Sequence, residues 1–386
     1  MKSCFYIPRL LVPRKDRYRW CVIAGDRFLN DRNYWDEQQR KADATALPLV
    51  FPEAYFGEGD EERCDEIREK QYEALEADWL EKLVRGFSFV ERKTSAGIRR
   101  GIVAAIDLEA FSFEEGTLSP VRAMQKTPKA LAERYLRMRR DAPIEMPHTI
   151  ILYRDPRDKA NKLLKNEDLE ELYSYDLYGN GGKVKGYFVP EDFADAIVPL
   201  LSSKHDPSFV VAEGNAAAVA AKLHWENIKK TLGEDAKRRH PARFMLAEFV
   251  NIEDDAAEIY PVHRLVKEID AEAFIDFFTK SVKCTRKGNV LTPALPASYE
   301  SVQKTDELIA AFIKANYGRV SYVHGADRLA KLAAEEGCVG IALKAVDKDD
   351  IFKEAKAGVV FPYQTFCIGQ IRDARYYLEA REISYD

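Results

Sequence analysis

Paired cysteines are missing from this chain. Cys4, Cys21, Cys64, Cys284, Cys338 and Cys367 are scattered over 386 residues, with no Cys-x-x-Cys pair and no zinc spacing. That excludes a disulfide scaffold and a structural zinc module, so no metal site is expected from this pattern. The thiols read as the reduced cysteines of a cytoplasmic protein. Long hydrophobic runs are missing as well: none approaches the ~18 apolar residues of a membrane span. The opening stretch Met1–Pro13 is too short and too broken by Pro8 and Arg9 for a signal peptide. A basic excess is also absent. The net charge is −5 and the pI near 5.9, which argues against broad nucleic-acid binding. There is no internal repeat and no low-complexity tract.

What is present is an ordinary globular composition, 46% hydrophobic and 32% charged, in a chain long enough to bury a large core. Strand and helix signals alternate, which predicts a mixed α/β fold. Trp20–Ala24 reads as a strand, and Asp31 as the cap of the helix that follows. Residues 60–84 carry Ile67, Tyr72, Leu75, Trp79 and Leu83 near helical spacing and predict one long helix. Residues 87–92 and 98–108 predict a hairpin around Ser95-Ala96-Gly97. Helices are expected over 128–140, 157–173 and 190–202, a strand over 148–153, and a turn at 179–182. The second half predicts strands at 245–251 and 259–265, then a loop over 284–298 between helices at 270–280 and 303–316. A compact strand–helix–strand–helix segment follows over 320–357, and a strand over 376–383. Boundaries near 145 and 270 divide the chain into 1–145, 146–270 and 271–386.

The most informative stretch is Phe209-Val210-Val211-Ala212-Glu213-Gly214-Asn215-Ala216, continued by an alanine-rich run to Lys222. It reads as a buried strand, a sharp turn and a helix. Gly214 is placed for positive φ, and Asn215 for a helix cap. Free amides, the helix dipole and small side chains together make a phosphate-binding turn. No His, Ser, Lys or Asp directly follows the turn to do chemistry.

Several further blocks keep a shared order: Ala24-Gly25-Asp26-Arg27-Phe28 with Tyr34-Trp35; Val121-Arg122-Ala123; Ala142 to His148; His240-Pro241-Ala242-Arg243; Pro261-Val262-His263-Arg264; Tyr322-Val323-His324-Gly325; Thr365 to Gly369; and Arg375 to Leu378. Through these blocks the chain resembles the bacterial and archaeal family of domain of unknown function 1015. The turn of that family is similar to the phosphate-binding turn of ParB partition proteins and sulfiredoxins, a fold that some archaeal serine kinases share. The resemblance therefore implies a ParB/sulfiredoxin-like core and the handling of a nucleotide or a phosphorylated amino acid, with a link to serine metabolism.

The chain departs from the family pattern where chemistry is expected. The family's Asp-Gly-Asn-His turn is Glu213-Gly214-Asn215-Ala216 here, and its Arg-Ala-Thr-Glu is Arg122-Ala123-Met124-Gln125. Two later arginines fall on Leu131 and Tyr135, a histidine on Lys183, and the histidine of a near-terminal Met-Gly-His on Gln370. Loss of histidine removes a group that titrates near neutrality, and loss of arginine removes a bidentate phosphate grip. The pattern predicts a degenerate member that keeps the fold.

Glu213 is the catalytic candidate, as a general base or beside a magnesium ion brought by a nucleotide; a turn carboxylate bonded to backbone is the alternative. Gly214 and Asn215 are candidates for phosphate. Arg122, Arg139, His263, Arg264, His324 and Asp26 are candidates for other ligand contacts, each with a structural alternative: a buried ion pair for the arginines, a satisfied core ring for the histidines, a helix cap for Asp26. The leading expectation is a cytoplasmic binder of a small phosphorylated ligand in which catalysis is in doubt. The alternatives are a phosphotransferase or phosphatase, a pseudoenzyme, and a ParB-like DNA-associated protein, the last disfavoured by charge.

Overall fold

The computed structural model describes residues 4–17, 19–23, 27–29, 31–40, 44–57, 59–202 and 207–384, and the structural statements below concern these. Strands β1 (Phe5–Tyr6), β2 (Arg9–Pro13) and β3 (Val22–Ile23) precede helix α1 (Arg32–Gln39), whose first turn donates from Tyr34 N to the Asp31 cap. Helix α2 covers Asp60–Glu76 and leads into β4 (Leu80–Lys93), β5 (Ile98–Asp107), β6 (Phe111–Ser112) and β7 (Val121–Ala123). Then follow α3 (Lys129–Arg139), β8 (Ile144–Glu145), β9 (Ile150–Tyr153), α4 (Lys159–Lys165), β10 (Glu171–Leu177), β11 (Gly182–Pro190), α5 (Ala194–Leu201), β12 (Phe209–Glu213) and α6 (Asn215–Ile228).

These strands build one large mixed sheet in the order β10-β11-β4-β5-β13-β9-β12-β7-β6, where β13 is Phe244–Asn251; β1 pairs on β5 and β2 on β4. The β4–β5 hairpin turns at residues 94–97, as expected. At the functional end the pairing changes sense. Strand β12 runs parallel to β7 and antiparallel to β9, and β9 runs parallel to β13. The central strands are buried on both faces: every residue of β12 and β13 is buried, which is why their sequences are mostly apolar, broken only by Glu213, Glu248 and Asn251, and do not alternate.

After α7 (Glu234–Arg239), strand β14 (Ile259–Lys267) anchors a second sheet with the order β15-β16-β18-β14-β17 and β19 added on β14. Its members are β15 (Cys284–Lys287), β16 (Val290–Pro293), β17 (Arg319–His324), β18 (Val339–Ile341) and β19 (Phe366–Ile368). Helices α8 (Ala271–Ser281), α9 (Tyr299–Ala315), α10 (Ala326–Ala333) and α11 (Lys348–Lys356) belong to this half. The chain ends with β20 (Tyr376–Tyr377) on β3 and β21 (Arg381–Glu382) on β8, so the C-terminal segment lies back on the N-terminal region. No helix among the described residues is long and apolar enough to cross a membrane. The fold is mixed α/β, as expected.

The structure corrects four local expectations. The charged helix stops at Glu76, because Asp78 takes a positive φ and the chain turns into β4; Leu83 is a strand residue. Only Lys159–Lys165 is helical within 157–173, and β10 begins at Glu171. The stretch 284–298 holds a hairpin, β15–β16, turning through Gly288 at φ 58°. The closing strand is two separate pairs, because Glu379 turns inward to Arg375 between them.

Candidate functional site

The turn between β12 and α6 lines a small, partly open cleft. Gly214 takes φ 72° and is the helix cap. A Cβ at this position would lie 2.7 Å from Thr149 Oγ1 and 2.8 Å from its Cα. Glycine is therefore required twice, by conformation and by the close approach of the chain before β9. No side chain caps α6, and its first turn holds no acidic residue. Its leading amides, which have no carbonyl within the helix to meet, are left at the cleft.

Asn215 differs from expectation. It is the first helical residue and not the cap. Its Oδ1 accepts from Met124 N at 3.2 Å, and its Nδ2 donates to Ala212 O at 3.1 Å. The side chain thus braces the chain after β7 against the turn and leaves anion binding to the backbone.

Gln125 performs a related task. Its Nε2 donates to Ala212 O at 2.7 Å and to Phe366 O at 3.2 Å; its Oε1 accepts from Thr365 N at 2.7 Å. One amide joins β12, the segment after β7, and β19. An ionised carboxylate could accept here but not donate, so this glutamine is tied to a stitch that only an amide makes.

Glu213 is 7% exposed and its Oε1 is spent. It accepts from Arg27 Nη2 at 2.7 Å and from Ile368 N at 2.6 Å. Its Oε2 has no hydrogen-bond partner among the described residues, and Glu213 lines the cleft. Arg27, 1% exposed, also donates from Nη1 to His324 Nδ1 at 2.7 Å, and His324 Nδ1 lies 3.4 Å from Cys367 Sγ. Three distant blocks of sequence therefore meet at Glu213: the Arg27 segment, the end of β17 and β19. Arg27 and Cys367 were not singled out from sequence. Arg27 stood next to the candidate Asp26, which lies outside the described residues.

The other candidates are placed apart from the cleft wall. Arg122 is fully buried and donates from Nη2 to Gly358 O at 3.0 Å; burial holds its guanidinium below its usual range. Arg139 pairs with Glu145, which Arg381 also holds at 2.9 Å. Burial opposes the charge of Glu145, yet these two arginines keep its carboxyl below the usual range. Arg264 makes a bidentate pair with Asp306 at 2.7 and 3.0 Å and donates to the carbonyls of the cleft residues Gln364 at 2.7 Å and Tyr363 at 3.1 Å. His263 is buried in β14 and accepts at Nδ1 from Leu343 N at 3.2 Å; burial, aided by Arg264, pushes its pKa down to about 4. Glu213, Gly214 and Asn215 thus share the cleft, with His324 reaching it through Arg27.

Four of the positions named above as departures, Gln125, Leu131, Tyr135 and Ala216, line the cleft with Glu213, whereas Lys183 and Gln370 do not. Leu131, Tyr135 and Ala216 pack in one apolar cluster with Ala220 and Phe56. Lys126 and Glu53 complete the polar rim, and Tyr135 donates to Glu53 Oε1 at 2.7 Å.

Among solved structures, a free serine kinase variant in complex with ADP is similar over 73% of this chain and 92% of its own, at TM-score 0.41 and 10% identity. A conserved hypothetical protein from Pyrococcus furiosus is similar over 71% of this chain and 97% of its own, at TM-score 0.34 and 10% identity. No curated protein matches the sequence. The family model described as "Protein of unknown function (DUF1015)" matches residues 9–347, short of the last two blocks of the resemblance but across the turn and its surroundings, and the chain belongs to that family.

Proposed function

We propose that this protein binds a small phosphorylated metabolite, a nucleotide or a phosphoserine-like compound, with its phosphate on the N-terminus of α6, and that it works by binding and not by turnover. The observation that carries this reading is the uncapped, acid-free first turn of α6 opening into a cleft behind a glycine that nothing larger can replace. A helix start in that state favours an anion through its amides and its dipole. Lys126 at the rim adds a cation, paired with Glu115 at 3.2 Å on the exposed surface, and Glu53 sets a carboxylate on the same rim.

The state of Glu213 speaks against a general base. One oxygen is committed to a buried arginine and a backbone amide, and His324 accepts from that same arginine. The free oxygen, Oε2, fits a magnesium ion carried on a nucleotide, which takes one or two protein carboxylates and keeps phosphate and water for its other positions. Phosphoryl transfer with Glu213 as base remains the second reading, and Glu213→Gln abolishes turnover under it. A cytoplasmic location follows as part of the same proposal.

The test is a thermal-shift panel on the full chain with ATP, ADP, CTP, phosphoserine, serine and pyrophosphate, each with and without magnesium. A ligand at about 100 times its Kd stabilises the fold by about 2.7 kcal/mol. A shift with phosphate-bearing compounds and none with serine supports the reading. No shift across the panel overturns it.

A further inference from the structure

A second cavity adjoins the phosphate cleft. It is partly open and holds about 100 Å³, and Tyr135 and His148 line both spaces. Helix α6 also serves both. Ala216 lines the cleft, whereas Ala217 and Ala220 line the second cavity. The remaining walls are mostly apolar, with Val50, Ile67, Met138 and Ile144 among them. Leu131, Tyr135 and Ala216 pack together in one apolar cluster where the two spaces meet.

Besides His148 and the paired Arg139 and Glu145, two polar groups stand out on these walls. Gln71, 6% exposed, donates from Nε2 to Leu49 O at 3.0 Å, and its Oε1 is buried without a partner. Thr149, fully buried, has its Oγ1 without a partner. Buried acceptors and hydroxyls are nearly always satisfied in native interiors. Apolar walls with a few placed polar atoms are the make-up of a small-molecule pocket.

We infer that the ligand is a nucleotide whose phosphate rests on α6 and whose base enters the second cavity, with the polar edge of the ring meeting Gln71 and Thr149. The inference rests on the phosphate reading above and names its substrate class. A flat heteroaromatic ring suits apolar walls and supplies donors at its edge. An aliphatic chain leaves Gln71 Oε1 unsatisfied, and a phosphoamino acid fills the cleft alone and leaves the second cavity empty.

The experiment is calorimetric titration of the full chain with pyrophosphate, phosphoserine and the four common nucleoside monophosphates. At least one monophosphate is expected to bind about tenfold or more tighter than pyrophosphate and phosphoserine. Ala220→Leu fills the second cavity, and Ala217→Leu, at a partly buried position, does so with less risk to folding. Each is expected to erase the nucleotide's advantage and leave pyrophosphate binding unchanged. Pyrophosphate binding with no nucleotide advantage, or an advantage that survives both variants, overturns this inference alone. No binding of any phosphate compound overturns the phosphate reading and this inference with it.

Discussion

The Arg27–Glu213 pair is predicted to hold the site together, and a double-mutant cycle measures it. The two side chains are 1% and 7% exposed and meet at 2.7 Å. Removing one member of a buried pair strands the other charge, at a cost of about 3–5 kcal/mol. Arg27→Met and Glu213→Leu should each destabilise by that amount. Glu213→Leu also strands the amide of Ile368, which donates to the carboxylate at 2.6 Å, so it should be the worse of the two. The double variant removes both charges, and its loss should fall short of the sum by about 2–3 kcal/mol, the upper range of coupling between contacting groups. The assay is urea unfolding of all four forms, followed by tryptophan fluorescence. If the two losses add within about 0.5 kcal/mol, the pair does not join the segments as described. If Glu213→Leu leaves stability untouched, the carboxylate is held in reserve for chemistry and the binding-only reading fails.

Gly214→Ala should destabilise by about 2–4 kcal/mol, from left-handed backbone strain and from the collision with Thr149; a loss below about 0.5 kcal/mol would show that the turn relaxes freely. Gln125→Glu, which installs the family's residue, should cost about 1–3 kcal/mol, since the ionised side chain cannot donate to Ala212 O and Phe366 O; denaturation at pH 7 reads it. His263 contributes a pH dependence. Its folded pKa, near 4, is depressed from the ordinary 6.5, so the unfolded chain binds the proton more readily. Its contribution is full above about pH 6.5 and fades as the pH falls towards 4, by up to about 3 kcal/mol. His263→Gln should flatten that slope, measured as unfolding free energy from pH 4 to 7.

The strand–turn–helix unit was legible in sequence because each of its signals is local. Val210, Val211 and Ala212 form an apolar run, and Gly214 does take positive φ. The role of Asn215 was not legible, since its partners Met124 and Gln125 lie some 90 residues away. The same holds for Arg122, Arg139 and Arg264. A sequence shows an arginine, but the partner that claims it is known only once Gly358, Glu145 and Asp306 are in place. Some misses did carry a local signal. Tyr173, Tyr175 and Leu177 alternate as a strand does, and each is buried in β10. Gly288-Asn289 between β15 and β16 is a hairpin turn signal. The overlong helix came from Trp79 and Leu83, whose spacing continues the helical stripe although Asp78 breaks it. Arg27 and Cys367 had no local signal, because their meeting with Glu213 and His324 depends on the sheet order.

The central claim is that the first turn of α6 holds a phosphate, and Ala216→Asp tests it most directly. An acid in the first turn gains about 0.3–1 kcal/mol from the helix, which offsets part of the cost of setting a charge against the apolar cluster of Leu131 and Tyr135. The same carboxylate stands where the phosphate would sit. Two unit charges about 4 Å apart repel by about 4 kcal/mol at an effective dielectric constant of ~20. The account predicts a folded variant with one cooperative unfolding transition, and pyrophosphate and nucleotide affinity weakened at least about tenfold, or about 1.4 kcal/mol. Affinity within twofold of the parent, in a variant that is folded, would contradict it.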